Sequence, residues 1–253
     1  MIENFEELKF ISLSEVDSTN NYVANLVRLR EIYSPTIVSA DYQTQGRGQR
    51  ASEWQSSKAQ NALFSIFVAW EDLDIAEQFL ISMLTAISVV DVLERWISLP
   101  MHIKWPNDIY VNKKKIGGIL IESDLNGRKL SSSIIGIGIN VNQVAFESNI
   151  SATSLKLESG QNHDRMGIIK RIGQVFLEHC LAISNDADKF NIVKKRYLKK
   201  LYSLNNFIQV EITATGHCIK IKPLDITRGG LLLATDDQNT LHTFDIKEIK
   251  WEI

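Results

Sequence analysis

A chain of 253 residues with 44% apolar and 23% charged side chains, and only 13 glycines and 4 prolines, has a globular composition that excludes disordered, collagen-like and low-complexity classes. At roughly 150 residues per domain the length allows one large domain and a smaller appendage, with core enough to fold without disulfide or metal staples. A formal net charge of −2 exerts no global pull toward nucleic acid or an anionic membrane, so neither is expected as a partner.

The opening MIENFEELKF is acidic and lacks a basic segment followed by an apolar one, so no signal peptide is expected. No uninterrupted apolar run approaches ~18 residues, so no membrane span is expected either. Cys180 and Cys218 are the only cysteines and stand in no C-x-x-C, and His102, His163, His179, His217 and His242 fall into no metal-binding spacing. Neither a disulfide framework nor a protein-held metal is expected, and a reducing cytoplasm is the expected compartment.

Along the chain, FISLSEV (10–16) has strand composition, and Asp17-Ser18-Thr19-Asn20 supplies N-cap chemistry for the helical run NYVANLVRLREI. TIVSADYQ (36–43) reads as a second strand, and ALFSIFVAW (62–70), almost wholly apolar, as a third buried on both faces. From Leu73 to Leu99, Ile75, Phe79, Met83, Ile87 and Val90 recur every three or four residues, which predicts one long core helix. HIKW, DIYV, KIGGILIESDL and SSIIGIGINVN read as four strands between 102 and 142, joined by tight turns at Asn112 and Asn126-Gly127. Strands that follow one another so closely predict an α+β fold with a mixed, largely antiparallel sheet and flanking helices.

A second helix is expected from about Met166 to Ser184, with Ile169, Ile172, Phe176 and Cys180 on one face; Cys180 there is a small buried apolar residue. Residues 189–200 carry six Lys or Arg and no acid, which reads as a solvated helix face rather than a docking patch. After Asn205-Asn206 come five short strands, FIQVEIT, HCIKIKPL, GLLLATD, TLHTFDI and IKWEI, the texture of a small SH3-like β-barrel. The expected division is therefore 1–204 and 205–253.

Four segments carry chemistry. The first, Gln43 to Arg50, follows a strand and matches G-x-G-x-x-A at Gly46, Gly48 and Ala51, but the polar SEWQSSKAQN after it is no crossover helix, so a dinucleotide fold is rejected. What remains is a loop whose glycines let backbone approach a ligand while Arg47 and Arg50 offer guanidinium forks to phosphate or carboxylate. In the second, Lys104-Trp105-Pro106-Asn107-Asp108, the proline keeps Trp105 out of helical conformation and the Asn-Asp pair favours a turn that holds a carboxylate rigidly. In the third, Lys115 enters a strand beside Gly117 and Gly118, where ligand can lie against backbone; Lys113 and Lys114 read as hairpin tip. The fourth, Gly136-Ile137-Gly138-Ile139-Asn140, is a glycine-interrupted strand serving either packing relief or a wall for a planar ligand.

Taken in order, D-S-T-N, Q-x-x-G-R-G, K-W-P-N-D, K-x-G-G-I-L-x-E and G-I-G-I-N, with D-I-T-R-G-G-L-L-L at 225–233, strongly resemble the biotin–protein ligase family over its whole catalytic region. The resemblance implies a class II synthetase-like catalytic domain, biotin and ATP with Mg²⁺ as reactants, and a monofunctional biotin–[acetyl-CoA-carboxylase] ligase. Such an enzyme makes biotinyl-5′-adenylate and passes biotin to a lysine of a biotin carboxyl carrier protein. By motif, Ser18, Thr19, Asn20 and Gln43 are expected at biotin, and Arg47, Gly48, Gln49 and Arg50 in a loop over biotin and the adenylate phosphate. Lys115 with Gly118 is expected at the biotin carboxylate and transferring phosphoryl group, Asp108 at the acceptor lysine, and Asn140 at adenine.

The loop departs from the family's G-R-G-R-x-G-R-x-W: Gln49, Ala51 and Ser52 replace an arginine, a glycine and an arginine, while Trp54 is kept. Weaker closure over the intermediate is the expected consequence. Two alternatives are a lipoate–protein ligase, which the G-R-G, K-W-P-N-D and K-x-G-G-I-L blocks fit less well, and a biotin-sensing repressor. Only residues 1–16 precede Asp17, too few for a helix-turn-helix domain. An exposed strand edge is open either to a second copy, as a homodimer, or to the carrier protein.

Overall fold

The computed structural model describes residues 8–49, 52–147, 151–184 and 186–252. Its larger sheet comprises β1 (Lys9–Leu13), β2 (Thr36–Ala40), β3 (Ala62–Asp74), β4 (Met101–Lys104), β5 (Asp108–Val111), β6 (Lys114–Asn126) and β7 (Lys129–Ile139), in the order β1-β2-β3-β7-β6-β5-β4. Its β1–β2 ladder is parallel and the others are antiparallel, so the expected mixed, largely antiparallel sheet is what forms. The hairpins turn where expected, with Asn112 at φ 51° and Gly127 at φ 63°, backbone that Asn and Gly enter at low cost.

β3 lies third in that order, which is why its sequence is almost continuously apolar. It runs past Trp70 to Asp74, because Leu73 and Asp74 pair with Leu130 and Lys129 of β7. The helix expected from Leu73 therefore starts later. A 3₁₀ turn, Ile75–Glu77, is capped by Asp74, whose side chain accepts from the Ala76 N–H at 2.8 Å, and α2 (Gln78–Leu93) follows. The far end falls short of Leu99, as Arg95 and Trp96 turn back onto the Val92 and Leu93 carbonyls.

Nearly all of α2 is buried. Together with the preceding turn, Ile75–Leu93 has the length and composition of a membrane span, correcting the expectation that no segment does, but 67% of its most apolar window is covered within the protein. It packs on α4 (Arg165–Ala182) and α5 (Lys189–Lys200), with Phe79 edge-on to Tyr197 at 5.9 Å. Asp164 caps α4, accepting from the Met166 N–H at 3.0 Å. Cys180 is fully buried there, and burial pushes its thiol pKa up. α5 buries Phe190, Val193 and Tyr197, while Lys194, Arg196 and Lys200 pair with Asp225, Asp91 and Glu94. Its basic run is thus largely a solvated, ion-paired face.

Residues after 207 form β8 (Ile208–Ile212), β9 (Cys218–Ile226), β10 (Leu232–Asp236), β11 (Leu241–Phe244) and β12 (Ile249–Trp251), an antiparallel sheet ordered β11-β10-β9-β8-β12. Among the described residues no ladder joins β11 to β12. Buried residues of this sheet, such as Ile221, Leu232 and Trp251, belong to the same hydrophobic cluster as α2 and the large sheet. Trp105 also donates its indole N–H to the Gly230 carbonyl at 2.9 Å, so the small sheet is bonded directly to the turn between β4 and β5.

Candidate active site

The site begins at the start of α1 (Thr19–Arg28). Ser18 has the extended backbone of an N-cap, yet its side chain makes no capping bond. Ser18, Thr19 and Asn20 are each 3% exposed, so the polar groups that read as cap chemistry serve the interior instead. The Thr19 N–H and hydroxyl both donate to Gln43 Oε1, at 2.8 and 3.0 Å. Asn20 Nδ2 donates to Glu122 Oε2 at 2.6 Å, and the Asn20 carbonyl oxygen accepts from Ser65 Oγ at 2.6 Å. Arg47 Nη2 reaches the same Glu122 oxygen at 2.8 Å. Glu122 is therefore the hinge-point between the helix start and the arginine loop.

That loop is a tight double-back. Gly48 N–H donates to the Ser52 carbonyl at 2.7 Å and Trp54 N–H to the Gly46 carbonyl at 2.9 Å. The fold-back delivers the Trp54 indole onto the sheet, against the glycines of β6 and β7. A Cβ on Gly138 would stand 2.5 Å from Trp54 Cε2, and one on Gly136 2.4 Å from Asn20 Oδ1. The interrupted strand is thus relief for two site side chains. Lys115 Nζ lies 5.5 Å above the Trp54 ring, a cation–π distance.

Asp108 opens β5 beside a turn fixed by Asn107, whose amide donates to the Ile119 carbonyl at 2.7 Å and whose carbonyl accepts the Ile119 N–H at 3.0 Å. Its Oδ1 is 2.6 Å from Lys115 Nζ and its Oδ2 3.9 Å from Lys104 Nζ. Lys104 is largely buried, and that desolvation lowers its pKa; Asp108 opposes the shift and Lys115 adds to it. Burial and the nearby Asp108 charge keep the Tyr110 phenol protonated.

These groups surround one cavity of about 340 Å³. Ser18, Thr19, Asn20, Gln43, Arg47, Gly48, Gln49, Asp108, Lys115 and Gly118 all line it. Arg50 and Ala51 lie outside the described residues. Asn140 does not line the cavity: its amide donates to the Thr153 carbonyl at 3.0 Å, which ties the 151–155 segment to β7. Among the described residues no set of three His, Cys, Asp or Glu side chains is placed to hold a metal ion.

Sequence reasoning missed several residues. Glu122 closes the K-x-G-G-I-L-x-E block, but nothing local in that block points to its partners Asn20 and Arg47. Ser65 had a usable signal, a lone hydroxyl in an apolar strand. Lys104, Trp54 and the small-sheet residues Glu211, Thr213, Lys250 and Trp251 also line the cavity; for the last four nothing local in the sequence announces it.

A model described as the biotin/lipoate A/B protein ligase family matches residues 13–140, half of the chain. The chain is 39% identical over 141 residues to the bifunctional ligase/repressor BirA of Bacillus spizizenii, covering 54% of this chain and 43% of that protein. It is 28% identical over 240 residues to the chloroplastic biotin–protein ligase 1 of Arabidopsis thaliana, covering 90% of this chain and 62% of that one. The chain thus spans less than two thirds of the length of these curated relatives. A solved biotin protein ligase from Aquifex aeolicus, in complex with biotin and ATP, aligns with a TM-score of 0.75 and 26% identity over 98% of this chain and 99% of that one.

Proposed function

The chain belongs to the biotin/lipoate A/B protein ligase family, and from that membership we propose that it is an ATP-dependent biotin–protein ligase acting on a biotin carboxyl carrier protein. The observation that carries the reading is the placement of Arg47 and Lys115 on the walls of one cavity whose polar end is built from Ser18, Thr19, Asn20 and Gln43. A ureido ring needs both donors and acceptors in a dry setting, and that buried polar end offers both. Its carboxylate tail then extends toward two cations.

In the first step a biotin carboxylate oxygen attacks the α-phosphorus of ATP, the bond to the β-phosphate bridge breaks, and pyrophosphate leaves. Arg47 and Lys115 hold the developing negative charge, and they hold it best because Glu122 and Asp108 fix their directions in advance. Trp54 covers the sheet beside Lys115 and keeps water from the reactive mixed anhydride. In the second step the amine of the carrier's lysine attacks the acyl carbon, the C–O bond to phosphate breaks, and AMP departs.

We assign magnesium to the nucleotide rather than to the protein. Asp108 on the cavity wall and Glu122, which holds Arg47, are already in ion pairs, so phosphate oxygens and water would supply most of its ligands. A reducing cytoplasm is the compartment we propose, supported by the free thiols of Cys180 and Cys218.

Incubation of the chain with ATP, a carrier domain and either biotin or lipoate, followed by intact-mass measurement, tests the reading. Biotin addition at one carrier lysine is expected; lipoate addition without biotin addition would overturn it.

A further inference from the structure

We propose that Lys104 is the proton acceptor of the transfer step, with Asp108 holding the incoming lysine amine and Lys104 side by side. This deepens the function proposed above and rests on it. The geometry is a divided carboxylate: Oδ1 of Asp108 is taken by Lys115 at 2.6 Å, whereas Lys104 stands 3.9 Å from Oδ2, beyond hydrogen-bond reach. An oxygen with an unfilled direction and an amine just past contact leave a place for a second amine, which can touch Oδ2 and Lys104 at once. Lys104 lines the same cavity as Lys115, so the place faces the reacting centre.

Asp108 is poorly suited to take the proton itself, since a carboxylate is a base weaker than a lysine amine by more than six orders of magnitude. Its charge is better used to hold the ammonium that arrives and must be deprotonated before it attacks. A second amine is a matched acceptor, and efficient proton transfer needs such matching. Desolvation lowers the affinity of Lys104 for its proton, and Lys115 acts in the same sense against Asp108. Tyr110 places its hydroxyl 3.5 Å from Lys104 Nζ and, kept protonated by burial, adds no negative charge. From the small sheet, Glu211 and Lys250 face the same cavity with opposite signs. The arriving ammonium pushes Lys104 further toward the neutral form. Two protons leave the nitrogen as the ammonium becomes an amide. The first passes to Lys104 Nζ and frees the lone pair, the N–C bond to the acyl carbon then forms as the C–O bond to AMP breaks, and the second leaves on the departing AMP phosphate.

The test uses the full chain charged with biotinyl-adenylate and a purified carrier domain, following single-turnover transfer between about pH 6 and pH 10. For the natural chain, the rate is expected to rise and level off above an inflection lower than the ~10.4 of a free lysine. Lys104→Arg keeps a cation beside Asp108 but cannot accept a proton, so transfer should fall about 100-fold near neutrality and lose that inflection. Adenylation, read as pyrophosphate release, should fall far less. Transfer by Lys104→Arg within about 3-fold of the natural chain, with the inflection in place, overturns the assignment. If that variant does not fold, the ¹³C-lysine titration of the natural chain decides: a Lys104 midpoint at or above the free value overturns it. Failure of the natural chain to form any adenylate overturns both this and the function beneath it, whereas adenylate formation with an unchanged profile overturns Lys104 alone.

Discussion

Lys115 and Asp108 meet without facing each other in the sheet: Asp108 is in register with Gly118, and Lys115 with Tyr110, yet Lys115 Nζ reaches Asp108 Oδ1 at 2.6 Å. The register shift between Ile109 and Tyr110 turns the lysine along the strand toward the cavity. One ion pair therefore couples the residue nominated for adenylation to the one nominated for transfer. Lys115→Ala should lower pyrophosphate release by about 100-fold or more, the usual scale for a lost charge stabiliser, with the far-ultraviolet dichroism unchanged. Asp108→Ala should damage transfer more than adenylation, but adenylation should also drop several-fold because Lys115 loses its anchor. Equal loss in both half-reactions would contradict that division of labour.

The two close glycine contacts on β7 give a prediction that separates biotin from its activated form. Gly136→Ala drives a methyl into Asn20, which is already fixed by Ser65 and Glu122; overpacking of this kind costs about 1–3 kcal/mol. Biotin affinity measured by calorimetry should fall about tenfold or more. Gly138→Ala instead displaces Trp54, so biotin should still bind while adenylate escapes faster into solution, detectable as free biotinyl-adenylate by chromatography. Wild-type retention in Gly138→Ala would remove Trp54 from its role as a cover.

The strands between 102 and 142 were legible because each signal is local: apolar alternation, a turn residue, then alternation again. The cation and carboxylate positions were legible for the same reason, as they sit in short ordered blocks. What escaped lies across the chain. Glu122 acquires its role only when Asn20, 102 residues away, meets it, and β8 and β12 reach the cavity wall only through long-range contacts, among them the Trp105–Gly230 bond across 125 residues. The late start of α2 was hidden for a related reason. Helical periodicity at Leu73 is real, but ladder bonds to Leu130 and Lys129 outcompete it.

The Trp105 contact predicts how firmly the small sheet is held. Trp105→Phe keeps the aromatic packing and deletes the N–H, leaving the Gly230 carbonyl without that donor. The cost of an unmet buried acceptor is about 1–3 kcal/mol, so the urea midpoint should fall accordingly. Amide exchange should quicken in Leu231 to Asp236 before it does in β3. Uniform acceleration through both sheets would mean that the bond is not a local fastening.

A last prediction concerns pH. His179 lies between α2, α4 and α5, with Nδ1 2.9 Å from Ser88 Oγ and Nε2 3.3 Å from Arg196 Nη2. Ser88 donates its own hydroxyl to the Leu84 carbonyl at 2.7 Å, so His179 must carry its proton on Nδ1 and leave Nε2 to accept from Arg196. The neutral ring satisfies both of those hydrogen bonds, while Asp91 Oδ2, 3.5 Å from Nε2, favours the charged form. Burial lowers its pKa first and Arg196 adds to this, against Asp91 and Glu178; burial also lowers His102 and His163. For a folded-state pKa below the unfolded value near 6.5, the unfolded chain binds more protons, and stability rises with pH. The full contribution is present above about pH 6.5 and is lost as pH falls through the folded values. The urea midpoint should therefore hold steady from pH 8 to pH 7 and decline below about pH 6.5, with the decline shallower in His179→Gln, whose amide can still donate toward Ser88. An equally steep decline in that variant would take His179 out of the account and leave the slope to the other two histidines.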